Sequence, residues 1–166
     1  MASLLLSFLL NGRCRSQKVT RKIMVLFDSP SVRREAVQYS IELAKRMDST
    51  LVLLVLIPFD LSEKSAQGIE SILQLGSRAK ETLQRYVDII QNAGIPGEAA
   101  VRIGNPRSEL VKFLAESGRF ETIVWGGKPE IANKKAHWLS PMKDIAECAV
   151  VVPFIRDKRG GSLKAT

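Results

Sequence analysis

Five apolar runs punctuate the chain, and amphipathic stretches fill the intervals between them. "KIMVLF", Lys22–Phe27, is apolar at successive positions instead of alternate ones, which predicts a strand covered on both faces. "TLVLLVLIP", Thr50–Pro58, has the same character and is stopped by its proline, which has no N–H for a ladder. "EAAVRIG" reads as a short third strand, and "FETIVWG" and "CAVVVPFI" as a fourth and a fifth. Between the first two runs, Ser29, Pro30 and Ser31 supply a cap and a first-turn proline for a helix reaching about Met47. Its stripe of Val32, Ala36, Val37, Ser40, Ile41 and Ala44 faces the core. Residues 65–93 keep a helical period through Ile69, Ile72, Leu73, Ala79, Leu83, Val87 and Ile90, with Gly94 as the left-handed terminator. Asn105 and Pro106 open a helix that Gly118 closes, and Ser140-Pro141 open a short one to about Glu147.

Strand and helix alternate throughout, which predicts an α/β fold: a five-stranded parallel sheet with helices on both faces. In such sheets ligands bind outside the carboxyl ends of the strands, where the strand order reverses. The loops on that side begin at Asp28, Pro58, Gly104 and Gly126. No internal repeat, low-complexity tract or second-domain linker is visible. The reading is therefore one domain over residues 22–155, with tails at 1–21 and 156–166.

Charge changes this picture little. The 166 residues carry a formal net charge of +8 and 45% hydrophobic residues. The excess is in the ends: residues 1–22 hold Arg13, Arg15, Lys18, Arg21 and Lys22 without an acid, and residues 156–166 hold four basic residues against Asp157. The body between them is balanced, so a basic track for specific nucleic-acid binding is not indicated. Cys14 and Cys148 are the only cysteines and His137 the only histidine, which argues for a reduced compartment and against a metal site. "LLLSFLL" is far too short to span a bilayer, and its flanking charges follow it, unlike those of a secretory signal. Residues 1–21 fit a flexible tail or over-long start, an organellar transit peptide, or an apolar segment that packs on the body, a partner or a membrane. The expected location is cytoplasmic, with organellar or membrane-peripheral placement as the alternative.

Four motifs in order resemble the universal stress protein (UspA-like) family: "IMVLFDSPSVRREAVQYSIELAKRM", "LVLLVLIP", "RIGNPRSELVKFLAE", and the stretch from Gly126 to Ser140 at the spacing of the family's nucleotide loop, G-x2-G-x9-G-[ST]. The resemblance spans roughly residues 22–155. It implies a flavodoxin- or Rossmann-like sheet of the adenine nucleotide alpha hydrolase-like type, in the order 3-2-1-4-5. It also implies a homodimer through the last strand, Ala149 to Ile155, and an adenine pocket touching Asp28 and Leu56. By the same resemblance Asp28, Ser29, Leu56, Gly126, Gly127 and Ser140 are the candidate nucleotide ligands, for ATP or AMP with Mg. No catalytic or metal residue follows from it.

The loop departs from that motif. Its second and third glycine positions hold Pro129 and Leu139. Proline donates no hydrogen bond and fixes φ near about −65°, while a leucine puts bulk where backbone must approach phosphate. Losing two charge-assisted contacts at about 1.5–3 kcal/mol each would weaken ATP by orders of magnitude. Gly127, one residue along, offers a shifted register, and Lys128, Lys134, Lys135 and His137 supply charge nearby. Several candidates also have ordinary structural roles: Asp28 as a turn residue, Ser140 as a helix cap, Trp125 as core, and Trp138 over the crevice. The expectation is a non-enzymatic stress-response protein with a degenerate site, no bound cofactor and unidentified protein partners. The alternatives are a nucleotide switch or slow ATPase, and a membrane-edge adaptor using the N-terminal tail.

Overall fold

A computed structural model describes residues 21–59, 66–129, 138–139 and 148–153. β1 (Arg21–Phe27) leads to α1 (Arg34–Met47), β2 (Ser49–Pro58), α2 (Ala66–Asn92), β3 (Gly97–Gly104), α3 (Pro106–Ser117), β4 (Thr122–Trp125) and β5 (Ala149–Val151). All strand pairs are parallel, and the sheet runs β3-β2-β1-β4-β5, the order the resemblance implied. β1 is central, with Ile23 paired to Leu51 on one side and Thr122 on the other.

The unbroken apolar runs are explained by cover on both faces. Ile23, Val25 and Phe27 meet Val37 and Ile41 of α1 and Leu83, Val87 and Ile90 of α2. Met24 and Leu26 face the opposite way, toward Leu110 and Phe113 of α3, Phe120, Trp125 and Leu139. Each such aliphatic side chain contributes about 1.5–3 kcal/mol on leaving water, so a strict polar alternation would forfeit one of the two layers. α2 lies so close to β3 that a Cβ on Gly97 would sit 2.9 Å from Ile90 Cγ2. Ser40, polar within the α1 stripe, donates to the Ala36 carbonyl at 2.7 Å and is therefore satisfied.

The helix ends divide into those the sequence announces and one it misplaces. At α3, Asn105 Oδ1 accepts from the Ser108 N–H at 3.1 Å and Pro106 occupies the first turn. Gly94 and Gly118 take positive φ after α2 and α3. α1, however, does not start at Ser29–Ser31. It starts at Arg34 after a capping residue, Arg33, whose side chain makes no cap bond, and Asp28–Pro30 form a bend instead. At its other end Asp48 adopts a left-handed conformation (φ 50°) that sequence patterning did not mark. β4 and β5 are shorter than the runs "FETIVWG" and "CAVVVPFI". The expected helix after Ser140-Pro141, the tails and the far end of the last run lie outside the described residues. Among the described residues no helix is long and apolar enough to cross a membrane.

Candidate functional site

The strand order reverses at β1, whose neighbours β2 and β4 carry the chain away in opposite directions. The loops leaving β1 and β4 therefore flank one crevice, as open α/β sheets dictate. They are joined at once: the Gly126 N–H donates to the Leu26 carbonyl at 2.7 Å, extending the β1–β4 pairing past Trp125.

Both glycines are needed for close approach to protein, whatever else they meet. A Cβ on Gly126 would fall 2.2 Å from Phe27 Cε1. On Gly127 it would fall 2.5 Å from Trp125 Cζ2 and 2.7 Å from Asp28 Oδ1. Asp28, half-buried after β1, thus has the Gly127 backbone against its carboxylate. Two hydrogen bonds fix the arrangement. Arg33 Nη1 donates to the Gly127 carbonyl at 2.8 Å, and Trp125 Nε1 donates to the Lys128 carbonyl at 3.1 Å. The Arg33 side chain is only 27% exposed, and its Nε lies 4.0 Å from a Glu35 carboxylate oxygen.

Trp138 and Leu139 pack with the apolar layer that contains Trp125. Trp138 packs edge-on to Trp125 with ring centroids 6.1 Å apart. It therefore rests on the indole that was expected to be core, and Trp125 is indeed fully buried. Leu139 is 0% exposed and belongs to the apolar layer that contains Leu26, Leu56 and Trp125. A branched side chain thus fills core at the position where the motif resemblance places a glycine.

Of the candidate ligands, Asp28 and Gly127 are brought into contact, Gly126 abuts β1, and Leu56, 1% exposed, shares an apolar layer with Leu139. Ser29 is half-buried in the bend after Asp28, and Pro129 is half-buried beyond Lys128. Ser140, with Lys134, Lys135 and His137, lies outside the described residues. Arg33 is the participant that sequence reasoning missed. Its bond spans 94 positions of the chain, and an arginine just before a helix carries no local sign of such a reach.

Among the described residues no group of three or more His, Cys, Asp or Glu side chains is placed to hold a metal ion. Burial pushes the Cys148 thiol up from its ordinary range, and nearby Arg119 only partly offsets this. The thiolate needed for nucleophilic attack is therefore disfavoured at neutral pH.

The comparisons with known proteins agree with this architecture. The sequence profile of the universal stress protein family matches residues 20–131. Universal stress protein UspA from Lactobacillus plantarum is structurally similar, with TM-score 0.64 and 16% identity over 80% of this chain and 96% of that one. A universal stress protein from Archaeoglobus fulgidus in complex with dAMP gives 0.55 and 23% over 81% and 98%. A family protein from Arabidopsis thaliana with AMP bound gives 0.53 and 17% over 80% and 90%. No curated protein matches by sequence. The profile match covers well over half of the chain, and the sheet order agrees with it: the chain belongs to the universal stress protein family.

Proposed function

We propose that this family member acts as a non-enzymatic stress-response or regulatory protein that does not hold ATP in the family's usual manner. The observation that carries the reading is Leu139, wholly buried in an apolar layer with Leu56 and Trp125. A polyphosphate needs main-chain amides and open space at that end of the loop. Here the space is hydrocarbon, and Pro129 offers no N–H. Anionic oxygens brought against Leu139 would lose their hydration without gaining donors, which is costly. The protein then works through protein contacts in the cytoplasm, as a homodimer paired along β5. That strand is the sheet edge beyond β4, and its Val150 and Val151 are half-buried.

A second reading has its own support. Gly126, Gly127 and Asp28 are retained at the crevice, and the Arabidopsis and Archaeoglobus proteins bind mononucleotides, AMP and dAMP. An adenosine monophosphate makes fewer demands on the far end of the loop than ATP does. Asp28, Ser29 and Leu56 would receive the adenosine, and Gly126, Gly127 and Ser140 its single phosphate.

Titration calorimetry of the full chain with ATP and with AMP, each with and without Mg2+, separates these readings. No saturable ATP binding is expected in the unaltered chain. The paired change Pro129→Gly and Leu139→Gly is expected to create or strengthen it. Tight, stoichiometric ATP binding by the unaltered chain would overturn the first reading. AMP binding that disappears in Asp28→Ala would establish the second.

A further inference from the structure

α1 and α2 lie side by side on one face of the sheet and leave a groove of about 440 Å³ between them. Its walls come from the same i, i+3, i+4, i+7 spacing on each side: Arg34, Val37, Gln38 and Ile41 on α1, and Thr82, Arg85, Tyr86 and Ile89 on α2. The floor is apolar, since Val37 and Ile41 are buried core residues and the Tyr86 ring is half-buried beside them. Ile89, 53% exposed, adds apolar surface to the wall beside them. The two arginines, one from each helix, are exposed at the rim, and among the described residues neither has a carboxylate or carbonyl partner. Of the acids on these helices, Glu42 pairs with Lys45, Glu35 with Arg33, and Asp88 accepts from Gln84, while Glu81 is exposed one turn before Arg85 and makes no ion pair with it.

From this we infer that the α1–α2 groove is a binding site for a small amphiphilic anion, a medium-chain fatty carboxylate. The hydrocarbon lies along Val37, Ile41, Tyr86 and Ile89, and the carboxylate takes hydrogen bonds from Arg34 and Arg85. Guanidinium groups match carboxylate geometry and form the stronger, charge-assisted kind of bond. The groove has the volume of small-molecule sites, about 300–1,000 Å³. A protein partner would need roughly 800 Å² of surface on each side, far more than one groove provides. The chain's own apolar N-terminal run is a poor occupant, because the segment that joins it to β1 brings Arg13, Arg15 and Lys18 and no acid to a rim that is already cationic. Two guanidiniums do not form a phosphate track, which disfavours nucleic acid.

The test uses the full chain with decanoate below its micelle concentration, followed by titration calorimetry and by amide chemical shifts. Decyltrimethylammonium and acetate serve as matched controls for head charge and for chain. Saturable binding of one decanoate is expected, with shifts centred on α1 and α2, and neither control should saturate. Arg34→Gln and Arg85→Gln should each weaken decanoate by about tenfold, the equivalent of one charge-assisted bond. Both side chains are exposed, so the urea midpoint of each variant should stay at that of the parent, which verifies that any loss is not unfolding. Equal binding of both head groups would overturn the inference. So would undiminished decanoate binding in the doubly substituted chain, absence of saturable binding, or shifts confined to the crevice beside Asp28.

Discussion

The crevice outside β1 and β4 and the groove between α1 and α2 are both concave, yet the chain treats them in opposite ways. In the crevice it brings its own groups together: Gly127 against Asp28, Arg33 onto the Gly127 carbonyl, Trp138 onto Trp125, and Leu139 into the core. In the groove it leaves an aliphatic residue in water and, among the described residues, two cations without partners. On the readings proposed above, the location favoured for ligands by fold topology serves stability, and the binding capacity lies between the helices. Fold predicts where a site can be; only the side chains say whether one is maintained.

Substitutions can break or sharpen that contrast. Trp125→Ala should have the largest effect, removing a fully buried indole and the bond to Lys128, with a loss of about 3–5 kcal/mol in urea unfolding. Gly127→Ala should cost about 1–3 kcal/mol by overpacking, because its Cβ meets an indole carbon and the Asp28 carboxylate. Arg33→Met keeps the aliphatic stem but deletes the donor to Gly127, so about 1 kcal/mol is expected, with faster amide exchange in the loop after β4. Arg85→Ala should change stability by less than about 0.5 kcal/mol, as for an exposed residue that touches no special feature. If Arg85 proved as costly as Arg33, the groove would be part of the scaffold and the contrast would fail.

The strands were legible because burial on both faces removes the need for alternation, and "KIMVLF" and "TLVLLVLIP" display that directly. The α3 start was legible because Asn105 and Pro106 act within a few residues of each other. The same kind of signal misled at α1. Ser29-Pro30-Ser31 has the composition of a helix start, but the segment is used to round the crevice and deliver Arg33 to Gly127. Pairings over such sequence distances leave no periodic trace. The replacement of two loop glycines by Pro129 and Leu139 was visible from motif spacing. That the leucine joins the core with Trp125 was not, because that contact is tertiary and leaves no local signal.

The central place of β1 also governs the order in which the molecule can be assembled. A chain emerging from synthesis can pair β1 with β2 and β2 with β3 early, through neighbouring βα units. The other edge of β1, from Ile23 to Leu26, must wait for Thr122–Trp125. Until then it is an apolar strand edge able to pair with another nascent molecule. A fragment ending after α3 should therefore aggregate, and arrival of β4 is the step that makes the half-built sheet safe from its neighbours.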